Sequence, residues 1–150
     1  MATTEKSIQV NVPARTAYNQ WTQFEQFPRF MEGVELVQQL DDRNLHWVAN
    51  VGGRRKEFDA EITEQIPDKR IAWRSRSGPS HGGVVTFHPL NDAQTRIMLQ
   101  MVYEPEGVTE KVGDAVGVMS RRVEKDLERF KQFIEARGDE TGGWRGQIKR

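Results

Sequence analysis

The chain has 150 residues, with 22 lysines and arginines against 22 aspartates and glutamates, so its formal net charge is zero. That balance argues against nucleic acid as a partner, because phosphate recognition draws on a basic surplus. With no cysteine the chain has neither disulfides nor thiolate metal sites, and no apolar run is long enough for a signal or transmembrane segment, so a cytoplasmic location is expected.

Length and composition fit one domain built on one core. Ile8, Val10 and Val12 alternate with polar residues between Ser7 and Val12, the period of a half-buried strand, and Pro13 stops it. A short helix follows with Ala17, Tyr18 and Trp21 on its buried side, then a second short turn across Phe24, Phe27 and Phe30 that contains Pro28. From Gly33 the chain reads as a meander of hairpins. Val34 to Leu40 is a strand in which Leu36 and Val37 compete for one side, which a bulge would resolve. Leu45, Trp47, Ala49 and Val51 alternate in the next strand, Gly52-Gly53 supplies a tight turn, and Phe58, Ala60 and Ile62 alternate with acidic residues on the wet side. Ile71 and Trp73 share a face after the turn at Pro67-Asp68-Lys69. Ser77 to Gly83 reads as a flexible loop, after which Val85 and Phe87 stay in phase, and Ile97, Leu99, Met101 and Tyr103 point inward from the last strand.

The segment from Thr109 to Arg137 organises the rest. Val112, Val116, Met119, Val123, Leu127, Phe130 and Ile134 lie on one helical stripe, with Thr109 as cap and Gly138 as terminator. A helix of roughly 43 Å needs a broad partner surface, so the expected class is α+β: a curved antiparallel sheet of about seven strands wrapped around one long C-terminal helix, with two short helices after strand 1. Residues 1–138 form this domain, and the polar, Gly-rich tail 139–150, with Trp144 alone in it, is expected to be mobile.

The wording of Trp21 to Gly33, together with Phe58-Asp59-Ala60-Glu61-Ile62, Ile71-Ala72-Trp73-Arg74-Ser75, Gly82 to Phe87 and Tyr103-Glu104-Pro105-Glu106-Gly107, resembles the polyketide cyclase/dehydrase-like members of the SRPBCC (START-like) superfamily, a helix-grip fold that also holds coenzyme Q-binding-like proteins. The resemblance implies a cavity between sheet and helix that takes a small apolar molecule such as a polyketide, quinone or lipid. Its lining would be Trp47, Phe58, Trp73, Phe87, Leu99, Met101 and Tyr103 from the sheet and Val116, Met119 and Val123 from the helix, with Phe27 and Phe30 near the mouth. Gly113 and Gly117 would let backbone or ligand approach the helix start.

Reactive chemistry is sparse in the sequence. His46, His81 and His88 have no metal-binding spacing, so no metal and no cofactor is expected. Arg54-Arg55-Lys56 and Arg121-Arg122 read as a solvated hairpin tip and a solvated helix face. Tyr103 is the weak candidate for proton transfer in an aromatase/cyclase or dehydratase, and Arg74 and Asp59 point outward in this register. Binding without an assignable reaction is therefore the first reading, a cyclase or dehydratase the second, and a stress-related or regulatory interaction module with a filled cavity the third. A homodimer through a strand edge or the aromatic lid fits the architecture, with no symmetry selected.

Overall fold

The structure is a computed structural model that describes residues 2–31, 33–51, 54–77, 81–103 and 112–148; for 2, 51, 54, 103 and 112–119 the description is of the backbone. Strand β1 (Ala2–Val10) is followed by helix α1 (Ala14–Trp21) and a 3-10 helix (Phe24–Arg29). Strands β2 (Val34–Gln39), β3 (Asn44–Val51), β4 (Arg54–Ile66), β5 (Arg70–Ser75), β6 (His81–Asn91) and β7 (Gln94–Tyr103) then lead to helix α2 (Val112–Arg137). The strands form one antiparallel sheet in the order β1-β7-β6-β5-β4-β3-β2, so each hairpin adds a neighbour and the first strand closes against the last. The expected wrapped sheet and terminal helix are both present. Thr109 and Gly52-Gly53, expected as helix cap and turn, lie outside the described residues.

Strand alternation decides what enters the core. Val10, Ile62, Ile71, Val85 and Ile97 are fully or almost fully buried, and from α2 Val123, Leu127, Phe130 and Ile134 come down on them at the predicted spacing. Each such side chain contributes about 1.5–3 kcal/mol by leaving water. The competition between Leu36 and Val37 is settled by a register shift between Val34 and Leu36, which buries Val37 and leaves Leu36 48% exposed. Val48 is buried although it faces away from Trp47, since Leu36 and Glu57 flank it across the strands on that outer face.

The helix is seated by its flanks as well as its apolar stripe. On one flank the hydroxyls of Ser120 and Thr4 are 2.6 Å apart, Lys6 pairs with Glu124 at 3.1 Å, and Lys131 donates to the Gln9 carbonyl at 2.8 Å. The Asn11 amide donates to Glu135 at 2.8 Å, and at the opposite margin of the sheet the Gln39 amide donates to Glu25 at 3.0 Å. Both outer strands are thereby met by side chains of their own chain.

Two expectations are corrected. His81 to Gly83, read as loop, belong to β6, where they pair with Val102, Met101 and Tyr103 of β7 and extend the concave face by one row. The tail after Gly138, expected to be mobile, is docked on α1. Gln20 exchanges hydrogen bonds with Thr141, Asn19 donates to Glu140 at 2.8 Å, and the Trp144 amide donates to the Thr22 hydroxyl at 3.0 Å. Ile148, 3% exposed, then pairs in both directions with the backbone of Gln65, where β4 has run past the end of β3. Asn19 and Gln20 of α1 and Thr22, which caps its C-terminal end, are buried polar residues, and tail groups satisfy them.

Arg145 staples this arrangement by donating to both carboxylate oxygens of Asp68, at 2.9 and 2.7 Å, and to Asn19 at 2.7 Å, above the Tyr18 ring. Arg145→Ala is expected to cost about 1–2 kcal/mol, the range for charged hydrogen bonds discounted for their partial exposure. Urea denaturation measures the loss, and faster amide exchange at 139–148 locates it.

The outer face carries a titratable cluster. His46 Nδ1 lies 2.7 Å from Asp59 and Nε2 3.2 Å from Glu57, and these hydrogen bonds, that to Asp59 foremost, raise its pKa above 6.5. Protonation therefore favours the folded state. The contribution is complete below pH 6.5 and is lost as pH rises through the raised value. Urea midpoints followed from about pH 5 to pH 9 should fall across this window in the native chain, and His46→Gln should remove that part of the slope.

Candidate functional site

Register places the expected lining residues in rows across the concave face. Trp73, Gly83, Met101 and Thr4 follow one another across β5, β6, β7 and β1. Ile71, Val85, Leu99 and Lys6 make the next row, and Trp47 pairs with Phe58 across β3 and β4. The rows differ in how well they are covered.

At one end the face is sealed. Phe87, Leu99 and Val123 are buried, and so are Phe27 of the 3-10 helix and Phe30, which caps it. Trp21 links them, with ring centroids 4.9 Å from Phe130, 5.7 Å from Phe27 and 6.2 Å from Phe87, and Phe30 is 5.2 Å from Phe130. These are the inclined contacts that aromatic quadrupoles favour, and through Trp21 they tie the second half of α2 to Phe87 of the sheet.

At the other end Trp47, Phe58, Trp73 and Met101 are only partly buried. Trp47 and Phe58 stack nearly parallel, 11° between planes and 5.9 Å between centroids, and His81 stands edge-on to Phe58 at 4.7 Å. The Trp73 indole lies across Gly83: a Cβ added there would come 2.7 Å from the ring and 2.7 Å from the Gln100 carbonyl oxygen. Gly83 thus lets the edge of a large ring come close to the strand, where any side chain would push it into the space above. The Trp47 indole Nε1 is buried and has no hydrogen-bond acceptor among the described residues.

Of the remaining expected lining residues, Tyr103 ends β7 and Val116 and Met119 lie in α2, but their side chains, with Gly113 and Gly117, are outside those described. Arg74 is exposed and pairs with Glu61, and Asp59 is on the outer face, as the strand phase requires. His81 was missed as a wall residue because the glycines around it suggested a loop. Among the described residues no group of three metal-ligating side chains converges. Burial raises the pKa of the Tyr18 hydroxyl, so it is neutral at physiological pH.

The family model for polyketide cyclase / dehydrase and lipid transport proteins matches residues 10–132. The chain belongs to this family. It is 60% identical, over 99% of both chains, to an uncharacterised 17.2 kDa protein of Streptomyces lincolnensis. Its fold matches a START superfamily protein from Mycobacterium smegmatis with a TM-score of 0.83 at 12% identity, covering 91% of this chain and 99% of that one. The Zhui aromatase/cyclase from Streptomyces sp. R1128 matches with a TM-score of 0.76 at 17% identity, covering 95% and 98%. The two solved structures share this architecture, and likeness at 12% and 17% identity speaks for fold alone. Among the described residues no helix is long and apolar enough to cross a membrane.

Proposed function

We propose that this protein binds a small hydrophobic or aromatic molecule on the partly open end of the concave face, between β3–β7 and the first half of α2. The carrying observation is the division of one apolar face into a packed half and a half whose rings remain accessible. A face built only for stability would gain by closing over all of it. Trp47, Phe58, Trp73 and Met101 would contact the guest, a polyketide, quinone or lipid-like molecule. Tyr103, Val116 and Met119 belong to the same lining on the strength of their phase. Phe27, Phe30, Phe87, Leu99 and Val123 would form the floor behind it.

Binding stands ahead of catalysis because no convergent acid and base are found among the described residues. Balanced charge supports a small guest over nucleic acid, and the absence of cysteine suits the cytoplasm. Titrating the protein with phenylnaphthylamine, menadione and palmitate while following tryptophan emission tests the reading. Saturable quenching by an aromatic member at about one equivalent is expected, since two tryptophans flank the site. No response to any of the three would refute it.

A further inference from the structure

Arg121 and Arg122 are adjacent in sequence, but the helix sends them to different places. Arg121 is exposed, whereas Arg122 is half-buried on the flank of α2 that faces β2 and β3, opposite the flank of Ser120 and Glu124. Its guanidinium occupies a notch made by Gly33. A Cβ at Gly33 would come within 2.6 Å of Nη1 and 2.8 Å of Nη2, and the backbone there has φ +89, which glycine accepts.

The notch holds the cation at the surface and leaves most of its donors facing solvent. Both Nη atoms donate to a single acceptor, the Asn50 carbonyl, at 3.4 Å, beyond the usual range for such bonds. Among the described residues Arg122 makes no ion pair. A guanidinium carries five N–H donors in a planar fork that matches a carboxylate in bidentate fashion. Asn50 follows Ala49, which shares the inward side of β3 with Trp47, and Ala49 pairs with Lys56, two residues from Phe58 on the inward side of β4. The solvent-facing cation therefore stands on the rim of the aromatic wall, beyond the Trp47–Phe58 stack.

We infer that Arg122 receives a carboxylate of the guest, so that the preferred ligand is an aromatic or polyketide-like acid whose ring system stacks on Trp47, Phe58 and Trp73 while its acid group lies at the rim. This rests on the binding function proposed above and narrows it to a chemical class.

The test uses the full chain with phenylnaphthylamine as a neutral fluorescent reporter, displaced by naphthoate or by naphthamide, its uncharged counterpart of nearly the same shape. In the native protein naphthoate should compete about tenfold better than naphthamide. Arg122→Gln should abolish that preference, Arg122→Lys should keep part of it, and Arg121→Gln should keep all of it. Equal competition in the native protein, or a preference that survives Arg122→Gln, would overturn the inference. Should Arg122→Gln not fold, salt decides on the native chain: raising it from about 0.05 to 0.5 M should weaken naphthoate relative to naphthamide, and an unchanged ratio would overturn it. If the reporter itself does not bind, the underlying binding function fails.

Discussion

Phe130→Ala is expected to lower the stability of the fold by about 3–5 kcal/mol, the range for removing a fully enclosed aromatic ring. Phe130 has no exposed surface, and its ring touches both Trp21 and Phe30, at 4.9 and 5.2 Å between centroids. Those contacts join α2 to the segment running from α1 through the 3-10 helix, and that segment packs in turn on Phe87 of the sheet. The deletion therefore leaves a hole where three layers meet, and rings held by several neighbours cannot collapse into it. Urea denaturation with an unchanged m-value should report a lower midpoint. A loss under about 1 kcal/mol would mean that the cluster relaxes freely, contrary to the packing described.

Gly83→Ala is expected to strike the site harder than the fold. The new methyl meets the far edge of the Trp73 ring and the Gln100 carbonyl oxygen, both at 2.7 Å. The backbone oxygen belongs to the adjoining strand and can yield little, whereas the indole can rotate upward. Strain of about 1–3 kcal/mol is expected from overpacking. The displaced ring would then occupy the space assigned to the guest, so phenylnaphthylamine affinity should fall by at least about tenfold, or 1.4 kcal/mol. Fluorescence titration and a denaturation curve on the same sample separate the two effects. Full affinity in a folded Gly83→Ala protein would place the guest elsewhere.

How legible these features were depends on whether their signal is local. The inward phase of Ile62, Ile71, Val85, Phe87, Ile97 and Leu99 follows from strict alternation, and the stripe on α2 from helical spacing; each is written within a few residues. The bulge at Val34 and Leu36 was foreshadowed by two neighbouring apolar residues that could not share a side. Nothing local announces that Trp73 lies over Gly83, since the two face each other across strands and the glycine reads as loop material. Nor does the tail's sequence declare its seat. Thr141, Trp144 and Arg145 are matched to buried polar groups of α1 and to Asp68, a complementarity between distant, non-periodic segments. Arg122 looked like half of a surface pair until the helix turned it towards Asn50.

The dressing of the outermost strands by Lys131, Glu135 and Glu25 bears on how copies of the molecule can meet. Backbone groups at Gln9, Asn11 and Gln39 that would otherwise template another chain are already engaged from within. Fibril-like growth by strand addition is blocked at those points. Self-association would have to proceed through side-chain surfaces instead, and the exposed Leu36 and Leu40 are where such a contact would begin.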